Sequence, residues 1–147
     1  MLYTIADINL ILDEVTSLLA LDERFTAVRI ERRYDRAIGE VLMDGDAIKQ
    51  VFWNLILNGL QATAGGGTLC VQSAGLEDRV EVEVADTGPG IPRADLKRIF
   101  EPFYTTKDKG TGLGLTVADK IVRAHGGVLD GQAEPGRGTR VRVMLPR

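Results

Sequence analysis

The sequence predicts a two-layer α/β sandwich, a mixed sheet covered by helices on one face. Three observations carry that prediction. Several short runs alternate apolar and polar residues with the period of two that a half-buried strand requires. Longer runs repeat their apolar residues at the helical period, so each presents one apolar side. The strand-like runs come in pairs with helices between them, an order that stacks one layer of helices on one sheet.

Along the chain, Ile8, Ile11, Leu12, Val15, Leu18 and Leu19 share one helical face, with Asp7 as the expected N-cap. Val28 and Ile30 alternate with Arg29 and Glu31, a short strand. Residues 44–64 read as a second helix, capped by Asp44 or Asp46. Its apolar side is Val51, Phe52, Leu55, Ile56 and Leu60, and Gly65, Gly66 and Gly67 end it. Thr68 to Ser73 and Arg79 to Ala85 read as two strands close enough for a hairpin, the second with Val80, Val82 and Val84 on one side. An irregular stretch from Asp86 to about Gly112 holds Pro89, Pro92 and Pro102 and a short helical piece, Ala94 to Phe100. Leu113 to His125 is a third helix, stopped by Gly126 and Gly127, and Thr139 to Leu145 is a last strand. No repeat or linker divides the 147 residues, which suit one domain.

Composition narrows the function. A hydrophobic share of 44% and a charged share of 27% describe an ordinary globular chain. The net charge of −3 offers no basic field for nucleic acid or an anionic membrane. Arg32, Arg33 and Arg36 read as a solvated face. The one cysteine, Cys70, forms no intrachain disulfide and reads as a small buried hydrophobe. The first residues lack the basic stretch of a signal peptide, and no run approaches a membrane span, so a cytoplasmic placement is expected even if a parent protein is membrane-anchored.

Three segments carry the chemistry. Asp86-Thr87-Gly88-Pro89-Gly90-Ile91 places a carboxylate, able to accept from an exocyclic amine, beside two glycines that admit a flat ring; the same residues also suit a strand-ending turn. Gly110-Thr111-Gly112-Leu113-Gly114-Leu115 opens a helix, where free N–H groups and the helix dipole favour phosphate, although the spacing is neither a Rossmann fingerprint nor a P-loop and also fits a flexible loop. Asn54 and Asn58, one helical turn apart, put two amides on one face. They could face solvent or bond one another, and a side-chain carbonyl can also ligate Mg²⁺.

Taken together and in order, these segments resemble the ATP-binding catalytic domain of sensor histidine kinases. Residues 46–62 (DAIKQVFWNLILNGLQA) look like its N box, 86–91 (DTGPGI) its G1 box, 99–107 (IFEPFYTTK) its F box and 110–115 (GTGLGL) its G2 box. The resemblance runs from about Asp7 to Pro146. It implies a Bergerat fold with a mostly antiparallel sheet, and ATP and Mg²⁺ as ligands. It gives Asn58 to the metal, and Asn54 to its support or to phosphate. Asp86 would hold the adenine amino group, with Gly88, Gly90 and Ile91 bordering the base and Thr139 helping nearby. Thr111, Gly112, Leu113, Gly114 and Leu115 would lie at the phosphates, Lys107 would reach one as a point charge, and Phe100 and Phe103 would anchor a lid. The implied partners are a histidine phosphoacceptor and dimerisation domain, absent here, and a downstream response regulator. Nucleic acid and direct membrane contact are not implied, and the chain is expected to be one piece of a longer kinase.

Two positions depart from the family pattern. Gly59 stands where alanine is frequent, at an expected cost to the helix of up to about 1 kcal/mol. Gln61 stands where a base is frequent, which removes one phosphate contact. The only histidine, His125, sits at a helix end in the structural tail, so its expected role is structural. An ATPase of the gyrase, Hsp90 or MutL kind needs a glutamate four residues before the metal asparagine. Here that residue is Asn54, a poor general base. An anti-sigma serine kinase would lack this F box. A nucleotide-sensing or scaffold module without kinase activity is the alternative from a different class.

Overall fold

In β1 (Thr4–Asp7) the last residue does two jobs: Asp7 ends the strand, and its Oδ1 accepts from the Asn9 N–H at 2.9 Å to cap α1 (Ile8–Leu19). The computed structural model describes residues 1–87, 113–134 and 138–147, and for residues 113, 114, 133 and 134 the backbone alone. A short 3₁₀ turn (Glu23–Phe25) leads to β2 (Val28–Arg33) and β3 (Glu40–Met43). Then come α2 (Gly45–Ala62), β4 (Gly67–Gly75), β5 (Arg79–Asp86), α3 (Leu113–Ala124), β6 (Val128–Glu134) and β7 (Gly138–Pro146). Asp44, not Asp46, caps α2, accepting from the Ala47 N–H at 3.2 Å; Asp46 lies in the first turn.

Five strands form one mixed sheet in the order β2-β4-β5-β7-β6. Only β2–β4 is parallel. The β4–β5, β5–β7 and β6–β7 pairs are antiparallel, which agrees with the mixed, mostly antiparallel sheet expected. β1 and β3 make a separate two-stranded ribbon. Alternation decides the layers. Leu69, Val71, Val80, Val82, Val84, Val143 and Leu145 are buried beneath the helices, while Gln72 and Arg140 on the opposite parity are exposed. α2 packs on β5, α3 on β6 and β7, and α1 on α2. Phe52, Ile48, Ile56 and Leu60 are fully buried at this interface. Each such side chain contributes roughly 1.5–3 kcal/mol.

Gly59 has a packing reason. A Cβ there would lie 2.5 Å from Leu69 Cδ1 and 3.8 Å from Val84 Cγ1, so the bare backbone lets α2 rest directly on β4 and β5. The helix cost expected from the glycine is set against this closer contact. Cys70 differs from expectation: it is half-buried and on the open face of the sheet, because its parity is opposite to that of Leu69 and Val71. The arginine group is a surface network, in which Arg32 Nε donates to Thr16 Oγ1 at 3.0 Å and Arg36 pairs with Asp13 at 3.9 Å.

A polar cluster ties the start of α1 to the far end of β4. Asn9 Nδ2 donates to the Asp35 carbonyl oxygen at 2.8 Å, and Ser73 Oγ donates to Asn9 Oδ1 at 2.7 Å. The Asp35 N–H donates to Ser73 Oγ at 3.0 Å, which closes the ring. The Gly75 N–H, then that of Ala37, donates to the Asp35 carboxylate and holds it below the ordinary carboxylate range; burial opposes this and Arg147 adds to it. A depressed carboxyl stabilises the fold above the unfolded value of about 3.9 and ceases to do so as pH falls through the lower folded value. Asp35→Asn should therefore lower the urea midpoint at pH 7, with the deficit shrinking toward pH 2. A deficit of constant size across that range would show that the charge is not what stabilises the loop.

Candidate nucleotide site

One end of the helix–sheet interface gathers the described candidate residues. Asp86 continues the inward series Val80, Val82 and Val84, and its register partners are Leu69 on β4 and Thr139 on β7. The row Leu69–Asp86–Thr139 thus lies on the helix-facing side, and Asp86 and Thr139 are half-buried there. Above it is the turn of α2 that carries Gly59, whose contacts are Leu69 and Val84. Asn54 and Asn58 occupy the same end of that helix, half-buried beside the fully packed face formed by Leu55, Ile56, Gly59 and Leu60.

His125 fixes how α3 meets this site. Its Nε2 accepts from the Asp44 N–H at 3.1 Å, and its Nδ1 lies 2.8 Å from the Ile121 carbonyl oxygen. Those partners put the ring proton on Nδ1. The Tyr3 ring stacks on the imidazole at 5.0 Å between centroids. The C-terminal end of α3 is thereby pinned to the N-terminal end of α2, and the two helices pack along one another antiparallel. At 1.5 Å per residue, Asn58 stands about 21 Å from Asp44 and Leu113 about 18 Å from His125 along the respective axes. Gly114 and Leu115 in the first turn of α3 consequently lie at the Asn54–Asn58 end. The electropositive end of the helix dipole faces the same region.

A carboxylate, a hydroxyl, two amides and a helix N-terminus at one interface suit a ligand with an aminated ring at one end and phosphates at the other. Amide oxygens suit Mg²⁺, which takes few protein ligands and completes its shell with phosphate and water. Among the described residues no trio of histidine, cysteine, aspartate or glutamate could hold a metal by itself. Gly88, Gly90, Ile91, Lys107, Thr111 and Gly112 lie outside the described residues, as do Phe100, Phe103 and the helical piece expected at Ala94 to Phe100.

A concavity of about 760 Å³ opens on the other face of the sheet, lined by Thr68, Cys70, Gln72, Glu83 and Arg140 among others. It touches the candidate site only through the edge residues Asp86, Thr87, Gly138 and Thr139. Burial, partly offset by Arg33, raises the Cys70 thiol, so that sulfur is a poor nucleophile. Sequence reasoning did not single out Thr87 or Gly138 as site residues, although Gly138 packs on the Asp86 carbonyl and both the N–H and the hydroxyl of Thr87 bond Thr68. Their signal was a hydroxyl directly after the carboxylate and a glycine directly before Thr139.

The family of histidine kinase-, DNA gyrase B- and HSP90-like ATPases matches residues 43–147. Sporulation kinase C of Bacillus subtilis (strain 168) is 38% identical over 141 residues, 95% of this chain and 33% of that protein. The catalytic domain of histidine kinase ThkA, in a nucleotide-free form, superposes with a TM-score of 0.89 at 33% identity, covering 99% of this chain and 98% of that one. Full-length ShkA in complex with AMPPNP superposes with a TM-score of 0.87 at 28% identity, covering 98% of this chain and 31% of that one. The chain thus spans about a third of the length of the curated relative it matches. No described helix is long and apolar enough to cross a membrane. By sequence and fold the chain belongs to the histidine kinase-, DNA gyrase B- and HSP90-like ATPase family, and its relatives are sensor histidine kinases.

Proposed function

We propose that the chain is the single catalytic domain of a longer cytoplasmic-facing kinase, binding Mg-ATP and presenting its γ-phosphoryl group to a histidine of a separate dimerisation and phosphoacceptor domain. The observation that carries the reading is the convergence of Asp86, Thr139, the Asn54–Asn58 pair and the first turn of α3 at one end of the helix–sheet interface. Asp86 would accept from the amino group of the base, with Thr139 beside it. Asn58 would offer its side-chain oxygen to the cation, and Asn54 would support it one turn earlier. The α3 N-terminus would orient the phosphates, joined by Gly112 and Thr111. Lys107 would add charge. When bound, Mg-ATP supplies the transferable phosphoryl group and a cation that offsets its charge.

The division of labour follows from what the chain holds. Phosphoryl transfer depends on positioning and charge, so a domain can hold the donor while the nucleophile comes from elsewhere. His125 does not serve as acceptor in this reading, since both ring nitrogens are engaged and the ring is buried under Tyr3. Asn54, standing four residues before Asn58, would not activate water. The ShkA complex with AMPPNP shows a structurally similar protein binding an ATP analogue. A response regulator would take the phosphoryl group from the acceptor domain.

Calorimetric titration of ADP should show binding that Mg²⁺ strengthens. Asn58→Ala should remove the magnesium-dependent gain while leaving the magnesium-free affinity in place. Labelled ATP should leave the chain itself unphosphorylated, and should label a histidine only when an acceptor domain is added. Equal magnesium dependence in Asn58→Ala would take the metal away from that residue. Acid-labile phosphate on His125 would overturn the division of labour.

A further inference from the structure

We infer that Thr87 and Gly138 position Asp86, Thr87 by lending its side chain to the strand ladder in place of its own carbonyl. The inference rests on the reading of Asp86 as the base-holding carboxylate. Opposite Asp86 and Thr87, the antiparallel register continues from Leu69 to Thr68. The Thr87 N–H donates to the Thr68 carbonyl oxygen at 3.1 Å, as a ladder requires. The reciprocal bond is not made to the Thr87 carbonyl: the Thr68 N–H donates to Thr87 Oγ1 at 2.9 Å. The hydroxyl therefore ends the ladder one atom set early. Asp86 itself stays in the strand.

Two glycines make room for that ending. A Cβ on Gly67 would lie 2.7 Å from Thr87 Oγ1, in the hydroxyl's own space, and Gly67 has a φ of +147°. On the other side, a Cβ on Gly138 would overlap the Asp86 carbonyl oxygen and come within 3.0 Å of Thr87 Cα, and Gly138 has a φ of +105°. The peptide joining residues 86 and 87 is thus held between the bare backbone of Gly138 on β7 and the Thr68 carbonyl of β4. Anchoring that peptide fixes the main chain from which the Asp86 side chain projects. Without the hydroxyl, the Thr68 N–H would either lose its partner or draw the Thr87 carbonyl back into the ladder, rotating that peptide and Asp86 with it.

The discriminating variants are Thr87→Val, which keeps the shape and removes the hydroxyl, and Thr87→Ser, which keeps the hydroxyl. ADP affinity and the thermal midpoint would be measured on each, and on Gly138→Ala if it folds. Thr87→Val should weaken ADP at least about tenfold, equivalent to about 1.4 kcal/mol, well below its thermal midpoint. Thr87→Ser should stay within about threefold of the parent, or about 0.7 kcal/mol. In an Asp86→Ala background Thr87→Val should cost almost nothing more, because both changes act on one group. Parent-like ADP affinity in Thr87→Val, equal losses in valine and serine, or additive losses with Asp86→Ala would each overturn the inference. If the parent does not bind ADP, or Asp86→Ala binds it unchanged, the reading of Asp86 itself fails, a result distinct from failure of the positioning.

Discussion

Asp86→Ala should weaken ADP binding by about a hundredfold while the far-UV spectrum of the folded chain is kept. A hydrogen bond from a ligand amine to a carboxylate contributes about 1.5–3 kcal/mol, and the loss is larger where the ligand group is left buried without a partner. Asp86 is half-buried at the end of β5, under the α2 turn that carries Gly59, so water replaces it poorly. Asp86→Asn keeps one acceptor oxygen and should lose less. Isothermal calorimetry of both variants against ADP and against a nucleotide whose base lacks the amino group separates base recognition from general damage. For the second nucleotide the parent and Asp86→Ala should bind alike. A loss equal for the two nucleotides would mean that Asp86 supports the pocket without reading the base.

The helices and the inner strands were legible because their residues repeat at a clean period. Ile8, Leu12, Val15 and Leu19 are buried as the helical spacing requires, and Val80, Val82 and Val84 as strand alternation requires. The three strands that sequence reasoning did not anticipate break those rules for physical reasons. In β1 and β3 the directly paired Ile5 and Leu42 are both exposed, so the apolar residues of the ribbon do not mark its buried side. β6 is an edge strand interrupted by Asp130 and Gly131, with Val128 exposed. The parallel pairing of β2 with β4 depends on the chain passing through β3 and α2 first, and no local pattern encodes a partner that far away.

The candidate site was legible as residue types before any geometry was known, since asparagine pairs in an apolar helix and glycines around an acidic residue are costly unless used. What local sequence could not supply was their convergence. That depends on His125 fastening the end of α3 to the cap of α2, and on Gly138 closing β7 against the Asp86 backbone. Both act through main-chain atoms, N–H at Asp44 and C=O at Asp86, which carry no residue identity and so leave no motif.

The largest stability effect expected outside the apolar core is that of Asn9→Ala. Asn9 is 3% exposed and uses both ends of its amide, donating to the Asp35 carbonyl and accepting from Ser73. Removing the side chain strands one part-buried acceptor and one buried donor, together about 3 kcal/mol. Ser73 keeps the Asp35 N–H as a donor to its oxygen, so its hydroxyl proton is the group left without a partner. A total near 3 kcal/mol would lower the thermal midpoint by about 10 °C in a domain of this size. Ser73→Ala should cost less alone, and the double variant should fall short of the sum, because the two residues share one bond. Asp35 joins β2 to β3 and bonds Gly75 at the end of β4. The loss should therefore appear as faster amide exchange in the 34–39 segment and at Gly75, while the Asp86 end of the sheet keeps its protection and ADP affinity stays near that of the parent. Uniform loss of protection across both ends would show that the cluster holds up the whole sheet instead of this one corner.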